Sequence, residues 1–377
     1  MLYFGGFDHI TNRRKVNMAG CNKVRYISHL LSSRGIPVEI LSNSATAAQK
    51  LPAQKEQVEE GIVAYYLPAA PRSKHKPLRA LRYMKQRIQI FAMLMKRTKR
   101  GEPMLMYHAD GFYGTVRLAK WIKRFKLILE VEELYSVIKR KSERKHRREM
   151  KFIQKADGYL FVSQLLEQLC NKKHKPYVIS HGVYGAEKQL CAPREDEKIH
   201  LVYAGTFNPA KGGPWAAVRA AAFLPDKYRM HILGAASAKQ IAHLHKLIDS
   251  ISEESKCRVT YDGVWHGEDF ARVLQSCHIG LSTQNPAGAY NDTSFPSKIL
   301  TYLANGLRVV SVRIPAVEHS DVHGLITYYD EHKPEEIAKA ILSVDVEAPY
   351  DSRAEIKKLE DRLASELTEM ITSLQKH

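Results

Sequence analysis

Cysteine is scarce and never paired along the chain. Cys21, Cys170, Cys191, Cys257 and Cys277 are scattered, odd in number and form no CxxC. That excludes a disulfide framework or a zinc ribbon and fits a reducing cytosol. Long apolar runs are also missing, and none approaches the roughly 20 residues that a bilayer-spanning helix needs. The opening Met1-Leu2-Tyr3-Phe4-Gly5-Gly6 lacks the basic start and long apolar stretch of a secretory leader. There is no short repeat, no low-complexity tract, and no set of His, Cys and acidic residues at metal-ligand spacing.

The 377 residues are 44% hydrophobic and 26% charged, a folded composition with length for two domains. The net charge of +18 is uneven. Residues 1–185 carry 36 basic against 14 acidic side chains, and the remainder 22 against 26. The basic half therefore meets something anionic: a phospholipid surface, nucleic acid or an acidic substrate. Two segments are densest, Arg72–Arg100 with no acid and Lys139–Lys155 with only Glu143 and Glu149. Leu78, Leu81, Met84, Ile88, Phe91 and Met95 form a helical stripe within the first, either packed on a sheet or facing an anionic membrane. No nucleic-acid module is recognisable, so no nucleic-acid partner is expected.

Strand and helix patterns alternate, from Met1–Phe4 and Gly20–Ser33 to Ile199–Ala204 and Leu325–Tyr329. The order predicts an α/β protein of two doubly wound, Rossmann-like domains facing a cleft. The expected boundaries are 1–185, a charged linker at 186–198, 199–348, and an amphipathic helix within 349–377 that packs back on the body.

Two clusters carry chemistry. Tyr203-Ala204-Gly205-Thr206-Phe207-Asn208-Pro209-Ala210-Lys211-Gly212-Gly213 joins a strand to a helix; glycines, a helix start and a lysine suit an anion. Read alone, it is equally an ordinary glycine-rich turn. Asn291-Asp292-Thr293-Ser294-Phe295-Pro296-Ser297-Lys298 leads into a helix, with Ser294 and Ser297 as capping hydroxyls. Two anion cradles in one domain point to a diphosphate.

The passage SFPSKILTYLANGLRVVS resembles the nucleotide-sugar motif of family-4-type glycosyltransferases of the GT-B fold, in the branch common in bacterial polysaccharide assembly. AGTFNPAKGG, His231–Gly234, Tyr261–Trp265 and Ile179–Val183 resemble other landmarks of that family, in its order. The resemblance implies that Lys211 and Lys298 neutralise the donor diphosphate, assisted by Gly205, Thr206 and Ser294–Ser297. It places Val264 and Trp265 near the base and lets Gly20 bring the first loop to the phosphates. The family's two glutamates fall at Thr293 and Thr301, so Asp292 would contact the sugar and Thr301 the ribose.

In the other half, Tyr107-His108-Ala109-Asp110 and Glu130-Val131-Glu132-Glu133 end strands, where catalytic groups gather in parallel sheets. His108 is either catalytic or a satisfied strand-end histidine. Glu132 or Glu133 stands where the family often has a histidine, and would orient or deprotonate an acceptor hydroxyl. The expected activity is transfer of a sugar, with retention and without a metal or other cofactor, from a UDP- or GDP-linked donor. The expected acceptor is a lipid-linked saccharide in envelope or capsule assembly, at the inner face of the cell membrane. A nucleotide-sugar epimerase and a non-catalytic binder of RNA or acidic polymer are the alternatives.

Overall fold

Met104-Leu105-Met106 and Leu127-Ile128-Leu129 are buried at every residue, as strands in the middle of a sheet covered on both faces must be. The computed structural model describes residues 1–9, 14–138, 141–208, 212–253, 255–288, 291 and 294–376. Two units emerge, Met1–Val183 with Asp361–His377, and Tyr184–Glu360.

The first unit holds strands β1 (Leu2–Gly5), β2 (Val38–Ser42), β3 (Gln54–Glu59), β4 (Ile62–Tyr66), β5 (Pro103–Tyr107), β6 (Lys126–Val131), β7 (Gly158–Phe161) and β8 (Tyr177–Ile179). Their order is β3-β4-β2-β1-β5-β6-β7-β8, parallel except for the β3–β4 hairpin. Sequence patterning passes over that hairpin because β3, at the sheet edge, is polar and largely exposed. Helices α1 (Met18–Ser33), α2 (Lys76–Arg97), α3 (Tyr113–Lys123), α4 (Tyr135–Ile138), α5 (Glu143–Ile153) and α6 (Gln164–Cys170) join the strands.

The second unit is a wholly parallel sheet ordered β11-β10-β9-β12-β13-β14. Its strands are β9 (Ile199–Ala204), β10 (Tyr228–Leu233), β11 (Arg258–Gly263), β12 (Ile279–Ser282), β13 (Arg308–Val312) and β14 (Ile326–Tyr329). Its helices are α7 (Gly213–Ala220), α8 (Ala238–Ser252), α9 (Gly267–Gln275), α10 (Ser297–Ala304), α11 (Pro315–Glu318) and α12 (Pro334–Leu342). Both sheets have the expected doubly wound α/β character. Helix α13 (Ser352–Lys376) starts in the second unit, where Ser352 Oγ donates to the Leu303 carbonyl at 2.8 Å. From Asp361 onward it belongs to the first, and Leu374 and Met370 fill the space left by the missing side chain of Gly158.

One packing detail positions the site. Tyr302 on α10 is fully buried, and its ring occupies the place where a side chain at Gly280 on β12 would lie. Gly280→Ala is expected to destabilise the protein by about 1–3 kcal/mol through overpacking, read as a lower urea midpoint. An unchanged midpoint would show that α10 can shift away.

Candidate functional site

In the second unit the carboxyl ends of β9, β10, β11 and β12 are tied together by backbone and tyrosine contacts. The Ala204 amide donates to Tyr302 Oη at 2.8 Å, and that hydroxyl reaches the Leu281 carbonyl at 3.3 Å. Burial pushes the Tyr302 phenol far above its ordinary pKa, so it stays protonated. Gly205 N donates to Leu233 O at 3.1 Å, Gly234 N to Gly263 O at 2.8 Å, and Tyr261 Oη to Gly234 O at 3.0 Å. Gly234, at φ 142°, lies so close to the Gly205 backbone that no side chain fits there.

With α10 fixed by Tyr302, Lys298 lies one turn nearer its start. Its ammonium sits 3.7 Å from the centre of the Tyr203 ring. A Cβ on Gly205 would stand 3.0 Å from Lys298 Nζ, so the glycine leaves room for the cation. Gly213 yields space to the Tyr203 hydroxyl in the same way, and its carbonyl accepts from Thr283 Oγ1 at 2.8 Å. Tyr203 and Tyr302 are the organising residues that the sequence reading left without a role.

The expected serine caps are not made. Pro296 is the N-cap of α10 and no side chain caps it; Ser297 is the first helical residue and exposed. Ser294 Oγ is buried and bonds to nothing among the described residues. A buried hydroxyl left without a partner is costly, so this one suits a ligand oxygen. Phe295 is buried. The Thr301 hydroxyl donates back to the Ser297 carbonyl at 3.3 Å. Thr206 is exposed at the loop start, and its carbonyl accepts from Asn208 N at 3.0 Å. Val264 and Trp265 are exposed just beyond β11, and Trp265 Nε1 donates to Asp262 O at 2.9 Å. Lys211 and Asp292 lie outside the described residues, as does Thr293.

In the first unit, Glu130 at the end of β6 is completely buried, and Tyr3 Oη donates to its Oε2. Burial, reinforced by the charge of Glu132 and only partly offset by Lys23, pushes its pKa up to about 8. Buried Lys23 donates to Ser180 O at 2.9 Å, Ser180 Oγ at 2.8 Å and Gly182 O at 3.0 Å, and stands 3.5 Å from Glu132. Glu132 and Glu133 are half-buried. Two of the expected residues are packed against neighbouring rings. Gly20 sits in the first turn of α1, and the space above it is taken by the Tyr107 ring 3.2 Å away. His108 is 1% exposed, flanked by Tyr113 and Tyr135, with Nε2 bonded to Tyr113 Oη at 2.8 Å. Burial, against the pull of Glu149, lowers its pKa to about 4, and a neutral ring so enclosed holds its neighbours in place.

The family model described as "Glycosyl transferases group 1" matches residues 198–344. No curated protein matches the chain. Solved structures do. A Thermosynechococcus elongatus sucrose-phosphate synthase is 13% identical with a TM-score of 0.72, covering 99% of this chain and 98% of its own. An E. coli structure described as "Trehalose-6-phosphate from E. coli bound with UDP-2-fluoro glucose" is 10% identical with a TM-score of 0.71, covering 100% and 99%. Anabaena HepE in complex with UDP and glucose is 13% identical with a TM-score of 0.64, covering 99% of each. The fold is thus the two-unit, Rossmann-like GT-B architecture. At such identities the likeness is one of fold.

Glu130 offers a pH test. Above the ordinary carboxylate range the folded protein keeps a proton that the unfolded chain releases, so stability falls as pH rises towards about 8. Glu130→Gln, neutral in both states, is expected to raise the denaturant midpoint near pH 8 and to match wild type near pH 4. Parallel midpoint-against-pH curves for the two proteins would contradict the buried acid.

Proposed function

We propose that the protein is a glycosyltransferase that moves a sugar from a nucleotide-sugar, UDP- or GDP-linked, to a saccharide acceptor. The observation that carries this reading is the arrangement at α10: Lys298 over Tyr203 in the room that Gly205 leaves, and a Ser294 hydroxyl without a partner among the described residues. A cation, a free hydroxyl and uncapped helix amides together suit the charge that grows on a departing diphosphate. The match to glycosyl transferases over this same unit supports it, as do the UDP ligands of the E. coli and Anabaena structures.

In the reaction the bond between the anomeric carbon and the diphosphate oxygen breaks, and the acceptor hydroxyl oxygen bonds to that carbon from the same face. Its proton passes to the leaving diphosphate, so configuration is retained. Lys298, Lys211 and the first-turn amides of α10 take up the leaving charge without a metal. Asp292 holds the sugar, Thr301 the ribose, and Val264 and Trp265 the base. Glu132, with Glu133 beside it, orients the acceptor hydroxyl. Lys298→Ala is expected to weaken UDP binding by roughly 10- to 100-fold, equivalent to about 1.5–3 kcal/mol for a charge-assisted hydrogen bond. Calorimetry that finds unchanged affinity in the folded variant removes the central residue of the proposal.

The acceptor we propose is lipid-linked, at the inner face of the cell membrane, in envelope or capsule assembly. The α2 stripe divides in a way that supports this. Ile90 and Leu94 are buried, whereas Leu81, Met84 and Ile88 face solvent. On α3, packed against α2, Leu118 and Ile122 are exposed and Trp121 is 76% exposed. Beside Trp121 lies a hollow of about 1000 Å³ walled in part by Arg117, Lys120, Arg124, Lys126 and Lys155. Exposed apolar side chains ringed by cations suit the boundary of an anionic bilayer. Wild-type protein is expected to sediment with phosphatidylserine-containing vesicles at low salt, and Trp121→Ser with Ile122→Ser to do so several-fold less. Failure of wild type to sediment would favour a soluble acceptor.

A further inference from the structure

A chain of hydrogen bonds crosses the β11–β10–β9 part of the second sheet, along a hollow of about 380 Å³, and has no part in the chemistry above. Asp196 Oδ1 lies 2.9 Å from His200 Nε2, His200 Nδ1 lies 2.9 Å from His231 Nε2, and His231 Nδ1 lies 2.6 Å from Asp262 Oδ2. Both imidazoles are buried, their planes 16° apart and their centres 5.2 Å apart. That separation is the N···N distance lengthened by both ring radii. The bond between them therefore lies in the plane of each ring, where an N–H and a lone pair point.

Counting donors decides the charge. An ionised carboxylate only accepts, and a nitrogen–nitrogen bond needs one hydrogen. Asp196 is held below the usual carboxylate range by its bond from His200. Burial would raise Asp262, but bonds from His231 and Thr260 outweigh it and hold it low. Three bonds thus require three N–H groups on four ring nitrogens, and two neutral imidazoles supply two. We infer that the His200–His231 pair carries a third, shared proton, and that this cation fixes Asp262 and so positions the turn that presents Val264 and Trp265 to the base.

Asp262 is well placed for that task. Ile232 pairs with Tyr261 and Leu233 with Gly263, so Asp262 is a bulge without a partner on β10. Its side chain is held by His231, its carbonyl receives Trp265 Nε1, and the next carbonyl, of Gly263, receives Gly234 N. His231 and Asp262 act as positioning residues, through the turn that carries Val264 and Trp265. This role rests on the base-contact reading of Val264 and Trp265 above.

The charges around the pair set the direction of its response. Arg194 and Asp196 precede β9, Arg229 lies on β10, and Arg258 and Asp262 lie on β11. His278, before β12, accepts from His200 N at 3.0 Å, with Arg308 and Glu347 beyond it. Burial lowers the His200 imidazole against the pull of Asp196, and His231 and Arg194 push the same way as burial. Rising pH therefore removes the third proton, leaves two N–H groups for three contacts, and takes the positive charge away from the imidazole that faces Asp262.

Isotope-labelled histidine NMR on the full chain at mildly acidic pH is expected to show three protonated nitrogens across His200 and His231. UDP affinity, measured by calorimetry, is expected to fall roughly tenfold as the third proton leaves, the change that one lost charge-assisted bond brings. His231→Gln is expected to bind UDP more weakly, with that pH dependence gone. Asp262→Asn, which keeps an acceptor oxygen but not the charge, is expected to move the midpoint to lower pH. Two protonated nitrogens, or a wild-type pH profile in His231→Gln, overturns the inference. Absence of nucleotide binding at every pH sinks the functional reading instead. The proton count needs no ligand and keeps the two failures apart.

Discussion

The hydroxyl of Tyr302 beneath Ala204 is the contact on which the second unit's site depends. Its ring could not be there if β12 carried any side chain at Gly280. Because the phenol is sealed from water it stays protonated, and it joins β9, β12 and α10 at one point. Everything nearer the start of α10 inherits its position from that point. Lys298 reaches Tyr203 because its helix cannot slide, and Gly205 and Gly213 accommodate what then converges there. Local absence of side chains and one rigid aromatic together set a charge in place.

The first unit solves a different problem. At the end of β6 it brings acidic groups to a buried strand terminus, where burial, and then the nearby Glu132, favour the protonated form of Glu130. Glu130 takes the proton, held by Tyr3, and Glu132 remains beside Lys23. The outer carboxylate is thereby kept available at a defined place. His108, neutral and enclosed, and Glu149, which accepts from Tyr135 N at 2.9 Å and Ser136 N at 2.8 Å, brace the following segment.

The strand–helix alternation was legible because buried parallel strands are short, continuous apolar runs, and β8 and β9 begin and end at the expected residues. The β3–β4 hairpin was not, since an edge strand such as Gln54-Lys55-Glu56-Gln57 needs no apolar face. Within the site, Gly205 and Lys298 stood out by residue type. The serine caps were misjudged because hydroxyls flanking a proline signal a helix start without saying whether they bond to it. The neighbour of Gly20 was hidden for a related reason: a glycine signals missing volume, and only the fold shows that Tyr107 fills it. The linked histidines were invisible, since His200, His231 and Asp262 come together only when three strands align.

Helix α13 bears on how the protein is made. Leu363, Leu367, Ile371 and Leu374 are buried and belong to the first unit, yet they follow the whole of the second in the chain. A nascent polypeptide therefore exports the first sheet with part of its apolar cover still to come, while the second unit can close on its own residues. The usual order of domain-by-domain folding from the amino terminus is thus incomplete here. The first unit stays dependent on a segment that arrives only after its neighbour has been translated, and that interval is when its unfinished surface is exposed to chaperones or to misassembly.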